Sequence, residues 1–104
     1  SILLEKGARA ESSAASAVCY RKALKICSVR SELAERSNNR VALLYIRDVE
    51  ADIRFQQGKF KAALRIYQSN LRMALELKEN ERIGHTYGNL ANCYAELGNV
   101  QKSL

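Results

Sequence analysis

The first candidates for chemistry in this sequence are its acidic residues. Asp48 and Asp52 are four residues apart, so on a helix they would share one face with the spacing of a carboxylate pair. General acid–base catalysis most often uses a His, and neither a His nor a Cys lies nearby in the sequence. The remaining acidic residues alternate with Lys and Arg, which is typical of a solvated helix face. We therefore expect a protein that is not an enzyme and has no catalytic residues.

Metal, cofactor and disulfide sites are not expected either. The only His is His85, and the three Cys do not follow a metal-ligand spacing. Cys19 and Cys27 would lie about 12 Å apart on one helix, which is beyond disulfide reach. Gly84 and Gly88 stand alone in a predicted helix, where close packing explains them better than phosphate binding. The thiols indicate an intracellular, reducing compartment, with the cytoplasm favoured.

The charge balance favours acidic partners without identifying them. Among 104 residues, 17 Lys and Arg stand against 11 Asp and Glu, which gives a formal charge of +6. The basic residues are dispersed and do not alternate with aromatic residues, so nucleic-acid binding is not favoured. The longest apolar run, 41–46, is far shorter than the roughly 20 residues of a membrane span. We also expect no signal peptide, because no basic region precedes a long apolar stretch.

The elements that must position these residues are helices. The chain has no Pro and only five Gly, and good helix formers dominate between the glycines. Apolar residues recur every three or four positions, which predicts helices of 16 to 20 residues. In the second helix the predicted apolar face contains Ile46, Val49 and Ile53. The predicted turns are Asn38–Asn39, Gly58, Glu79–Asn80 and Gly98–Asn99.

The sequence also repeats itself with a period of about forty residues. Residues 23–27 (Ala-Leu-Lys-Ile-Cys) match residues 63–67 (Ala-Leu-Arg-Ile-Tyr) at that shift. Gly58 falls over Gly98 at the same shift. Two predicted helices fit within each period, so the pattern indicates repeated pairs of helices.

One segment resembles a known repeat family. Residues 87–98 (Tyr-Gly-Asn-Leu-Ala-Asn-Cys-Tyr-Ala-Glu-Leu-Gly) are similar to the first helix of a tetratricopeptide repeat, whose pattern is filled by Tyr87, Leu90, Ala91, Tyr94 and Gly98. Residues 20–24 resemble the second helix of that family, as in part do residues 63–67, with Asn70 where Ala is usual. The period near forty and the segment Gly88-Asn89-Leu90 are similar to spindle-orientation adaptors with a Leu-Gly-Asn signature.

This resemblance implies an all-α, right-handed α-solenoid of antiparallel helix pairs, with about two and a half repeats. Residues 1–104 would form a single domain or a fragment of one. Residues 1–39 would hold N-terminal helices and a partial repeat, with a short first helix before a Ser/Ala-rich continuation. Residues 40–79 would form one repeat, although Arg47, Glu50 and Arg54 occupy positions where the family has large apolar residues. Residues 80–104 would form an incomplete repeat.

The resemblance also implies a peptide-binding groove. Asn89 and Asn92 match positions where the family often uses Asn to hold a peptide, and an amide both donates and accepts hydrogen bonds. The alternative is that both are ordinary exposed residues. The predicted groove also includes His85, Tyr45, Asp48 and Asp52, with Val49, Phe55, Gln56, Gly88, Ala95 and Glu96 alongside them. Arg47 and Arg54 either flank the groove or are surface charges with buried stems.

The resemblance and the predicted groove together imply a non-catalytic adaptor or scaffold that binds an acidic or extended peptide segment of another protein. The first alternative is a self-assembling piece of a longer array, which would form a homo-oligomer through exposed array ends. The second is a basic α-solenoid that binds nucleic acid, and its only support is the net charge.

Overall fold

The described part of the chain is built from four α-helices. The computed structural model describes residues 2–103, with the side chains of residues 16–99. No strand occurs within that range, so the predicted all-α class is confirmed. The helices are α1 (Ile2–Arg36), α2 (Arg40–Gln56), α3 (Phe60–Leu77) and α4 (Asn80–Ser103).

Each turn between these helices contains one residue with a left-handed backbone. The φ angle is 53° at Asn38, 80° at Gly58 and 57° at Lys78. A left-handed residue after the last helical turn reverses the chain and satisfies carbonyl groups at the helix end. Asn39 then caps α2, because its Oδ1 accepts a hydrogen bond from the Ala42 amide at 3.1 Å. The predicted turns at 38–39 and 58 are therefore confirmed, whereas the third turn lies at 78–79, one residue before the predicted 79–80.

Two predictions about helix length are wrong. α1 is one continuous helix of 35 residues, where we expected a short first helix and a second one. Its stretch 12–17, Ser-Ser-Ala-Ala-Ser-Ala, has no Pro or Gly to interrupt it. α4 has 24 residues and continues through Gly98 and Asn99, where we expected a break. A glycine inside a helix costs only about 1 kcal/mol, and Gly98 does not adopt the positive φ with which Gly58 ends a helix.

The helices pack in chain order into an elongated molecule. α1 packs on α2, α2 on α3 and α3 on α4. The radius of gyration is 16.0 Å, against about 13 Å expected for a compact domain of this length. The overall dimensions are 49 × 32 × 22 Å. Three helices contribute to the main core cluster, which contains Ala51, Ala63, Tyr67, Leu90 and Cys93.

The buried face of α2 agrees with the predicted one at Ile53 but not at Val49. Val49 was expected in the apolar face, but it is 49% exposed. Asp48 is only 3% exposed, and Leu44 and Ala51 are fully buried. Residues 44, 48 and 51 recur at spacings of four and three, so they form one helix face. A carboxylate therefore occupies a core position of α2.

The expected packing role of two glycines is also wrong. A Cβ atom built on Gly84 or Gly88 would meet nothing within 4 Å. Both glycines lie on the exposed side of α4, so close approach of another described helix does not explain them.

Candidate functional site

A small cavity opens where α2, α3 and α4 meet. Its volume is about 100 Å³. The lining combines one carboxylate, three side-chain amides and two aromatic rings, and five of its six members lie on successive turns of α2 or α4. The lining residues are Asp52, Phe55 and Gln56 of α2, Tyr67 of α3, and Asn89 and Asn92 of α4. Five of these six belong to the groove surface expected from the sequence.

Tyr67 and Asp52 form a hydrogen bond in the cavity wall. The Tyr67 hydroxyl donates to Asp52 Oδ1, which joins α3 to α2. Tyr67 is 1% exposed. Burial is the largest cause that raises the pKa of Tyr67, followed by the hydrogen bond to Asp52 and the negative charge of that carboxylate. The hydroxyl therefore stays protonated and donates, while the carboxylate can accept further hydrogen bonds.

Asn89 offers a free donor at the same cavity. Its Nδ2 atom is buried and has no hydrogen-bond partner among the described residues. A buried donor without an acceptor costs free energy, and an acceptor brought by a ligand removes that cost. Asn92, one turn further along α4, is exposed. The two amides thus lie on the same helix face at different depths.

A buried polar network lies next to this cavity. Asn70 Nδ2 donates to the Leu44 carbonyl oxygen at 3.1 Å and to Asp48 Oδ1 at 2.7 Å. Arg82 Nη1 donates to Asp48 Oδ2 at 3.2 Å. Asn70 is fully buried, and the network joins α2, α3 and α4. It neutralises the charge of Asp48 inside the molecule.

Arg82 is held from several sides. Its guanidinium lies 4.6 Å from the centre of the Tyr45 ring, which is cation–π geometry. Its carbonyl oxygen accepts a hydrogen bond from Thr86 Oγ1 at 2.6 Å. Arg82 Nε and Asn70 Oδ1 are buried without a hydrogen-bond partner in the described range. The ring of Tyr45 remains partly exposed, so it covers the charge of Arg82 from the outside.

The structure separates the other predicted site residues from the cavity. Asp48 is in the interior, Tyr45 covers Arg82, and His85 is exposed. Arg47 and Arg54 line a different cavity of about 530 Å³ between α1 and α2.

The two arginines of that second cavity have partners there. Arg47 Nη2 lies 3.7 Å from Glu35 Oε1, and Arg54 Nη1 donates to Gln57 Oε1 at 3.3 Å. Glu32, Glu35 and Glu50 also line this cavity, so its charges are mixed. The arrangement leaves the two arginines away from Asn89 and Asn92.

The described thiols do not contribute to either cavity lining. Cys27 and Cys93 are buried, and Cys19 is exposed. Burial is the main cause that raises the pKa of Cys27 and Cys93, and the negative charge of Asp52 adds to the effect at Cys93. A thiol with a raised pKa is a weak nucleophile, so these two residues act as core side chains.

Sequence reasoning missed Tyr67, Arg82 and Thr86 as parts of this region. Asn70 carried a signal, because the expected repeat pattern has Ala at this position. An Asn in place of a small apolar residue on a predicted buried face indicates a polar partner nearby. The partners, Asp48 and Leu44, are 22 and 26 residues away in the chain.

Comparison with protein-family models, curated proteins and solved structures gives no match for this chain. Within residues 2–103, none of the helices is long and apolar enough to cross a membrane. Across the described side chains, no group of three or more His, Cys, Asp and Glu is arranged to hold a metal ion.

Proposed function

We propose that this protein is a non-catalytic interaction module that binds an extended segment of a partner protein at the cavity between α2, α3 and α4. The proposal includes a right-handed solenoid of tetratricopeptide type, in which α2 and α4 are the first helices of successive repeats. The observation that carries it is the buried, unpartnered Nδ2 of Asn89 beside Asn92, Gln56 and Asp52.

An extended peptide supplies what these side chains need. Its backbone offers a carbonyl acceptor and an amide donor at every residue, and an Asn or Gln amide can pair with both. A cavity of about 100 Å³ is well below the roughly 300–1,000 Å³ of sites for drug-sized ligands. It therefore suits one side chain of a peptide that continues across the surrounding surface.

The test uses a random dodecapeptide library displayed on phage. We expect the wild-type protein to retain peptides that the Asn89→Ala/Asn92→Ala variant does not retain. The matched control is Asn80→Ala, which removes an exposed amide at the start of the same helix. Circular dichroism and thermal unfolding establish that the variants are folded. If the double variant retains the same peptides with the same affinity, the proposed site is wrong.

Self-association is a second candidate function, and the outward face of α1 favours it. Four large apolar side chains on that face are exposed, and they share one side of the helix: Val18, Ile26, Val29 and Leu33. An exposed apolar face of this kind often marks an interaction surface. Light scattering over a concentration series is the test. A dimer that dissociates on Ile26→Lys would support self-association, whereas a monomer at all concentrations would exclude it for this chain.

A further inference from the structure

We infer that the cavity between α2, α3 and α4 selects a basic side chain, Arg or Lys, of the bound peptide, with Asp52 as its counter-charge. This inference rests on the proposed function and specifies the ligand. A basic ligand side chain differs from the expectation based on the net charge of +6, which by itself favours acidic partners.

The charge at the cavity is locally negative. Asp52 is the one ionisable acid in the lining, and the lining contains no Lys, Arg or His. Tyr67 donates to Asp52 as a neutral group, so it satisfies one oxygen without cancelling the charge. The carboxylate keeps acceptor capacity for a cationic donor.

Three arginines of the neighbouring helices have contacts away from this cavity. Arg82 of α4 is paired with Asp48, and Tyr45 covers its guanidinium. On α2, Arg47 and Arg54 line the cavity toward α1.

Two further basic side chains, Arg65 of α3 and His85 of α4, are also absent from the cavity lining. On α3, Arg65 lines a different surface pocket together with Arg47 and Glu50. On α4, His85 is exposed and absent from the cavity lining. Asp52 is therefore the charged side chain of the cavity lining.

A basic side chain has an apolar methylene stem and a cationic end that donates hydrogen bonds. The rest of the cavity lining offers a contact to each. The Phe55 ring is an apolar wall for the methylene stem, and its face can also attract the cation. The amide oxygens of Gln56 and Asn92 are acceptors for additional N–H groups. Arg, with five donors in a fixed plane, uses this set more fully than Lys.

Asn89 indicates that the cation belongs to a peptide. Its buried Nδ2 needs an acceptor, and neither a guanidinium nor an ammonium group has one. A backbone carbonyl of the ligand supplies that acceptor. A free amine or guanidine would satisfy Asp52 but leave Asn89 unpaired.

The test examines the peptides retained by the wild-type protein in the dodecapeptide selection. We expect Arg or Lys at one aligned position of these peptides. In a synthetic peptide, replacing that Arg by citrulline, or that Lys by norleucine, should weaken binding to the wild-type protein about tenfold or more, as loss of a charge-assisted hydrogen bond does. The Asp52→Asn variant keeps an oxygen to accept from Tyr67, and it should bind the charged and neutral peptides almost equally.

The control is Glu81→Gln, which changes the net charge by the same amount at an exposed position of α4. It should keep the preference for the charged peptide. Retained peptides that depend on Asn89 and Asn92 but have no aligned basic residue would overturn this inference and leave the proposed function standing. If the wild-type protein retains no peptides beyond those of the double variant, both fail.

Discussion

Arg82 Nη1 donates to Asp48 Oδ2 across 3.2 Å, and this ion pair joins α4 to α2 in the interior of the molecule. The side chain of Asp48 is 4% exposed and that of Arg82 is 22% exposed. Asn70 holds the other carboxylate oxygen. Asp52, the carboxylate of the cavity, lies one turn after Asp48 on α2. The ion pair between Arg82 and Asp48 therefore also holds the part of α2 that carries Asp52.

Removing Asp48 should destabilise the fold strongly. Asp48→Ala leaves the Arg82 charge partly buried without a partner and frees a donor of Asn70, so we expect a loss of about 3 kcal/mol in the free energy of unfolding. Urea denaturation monitored by circular dichroism measures it. The control is Glu76→Ala, which breaks the exposed pair with Arg40 and should cost less than about 1 kcal/mol. Equal effects of the two substitutions would contradict the buried role of Asp48.

Two glycines should respond in opposite directions to replacement by alanine. Gly84→Ala should stabilise the protein by about 0.5–1 kcal/mol, since the site is helical, exposed and open. Gly58→Ala should destabilise it by about 1–2 kcal/mol, because φ at Gly58 is +80°. Differential scanning calorimetry should show the two melting temperatures on opposite sides of the wild-type value. A lower melting temperature for Gly84→Ala would mean that α4 packs more closely there than described.

The turns could be predicted because their signals are local. The predicted turns at Asn38–Asn39 and Gly58 depend on only a few neighbouring residues, because a side-chain cap and a left-handed backbone are both local features. A helix end was expected at Gly98, but α4 continues through it. A glycine ends a helix only when its backbone adopts the turn conformation.

The interior could be predicted only in part, because burial depends on distant partners. Asp is usually an exposed residue type. The core position of Asp48 depends on its partners Asn70 and Arg82, which lie 22 and 34 residues further along the chain. The set Asp52, Asn89 and Asn92 was expected on one surface from the repeat resemblance, and the structure places all three around one cavity. The repeat pattern did not reveal that Tyr67 would donate to Asp52.

Stability should fall at alkaline pH as Tyr67 and the buried thiols are forced to ionise. Their pKa values are raised in the folded state, so each group stabilises the fold at low pH and loses that contribution as pH rises above its unfolded value. That value is 9.0 for Cys27 and Cys93 and 10.0 for Tyr67. Each group should then lower the free energy of unfolding by up to about 1.4 kcal/mol per pH unit.

Urea titrations between pH 7 and pH 11 test this dependence, with Tyr67→Phe as the comparison. The variant has no hydroxyl to ionise, so its stability should fall less steeply than that of the wild-type protein above pH 10. The same slope in both proteins would show that Tyr67 does not carry the effect.

The three thiols should react with iodoacetamide at very different rates in the folded protein. Cys19 is exposed and should be modified first, whereas Cys27 and Cys93 are buried and their raised pKa values leave little thiolate. Mass spectrometry of peptides after timed labelling at pH 8 measures each rate. Labelling in urea, where all three thiols become accessible, is the control. Fast labelling of Cys93 without urea would contradict the packing of α4 on α3.

The proposed function requires a peptide to bind at the cavity that contains Asn89. The most direct test is an NMR titration of the ¹⁵N-labelled protein with a peptide retained in the library selection, following the side-chain amide of Asn89. We expect this resonance to move downfield as its Nδ2 gains an acceptor, and to saturate at the same peptide concentration as backbone signals of α2 and α4. An Asn89 side-chain resonance that stays in place while the peptide saturates the protein would contradict peptide binding at this cavity.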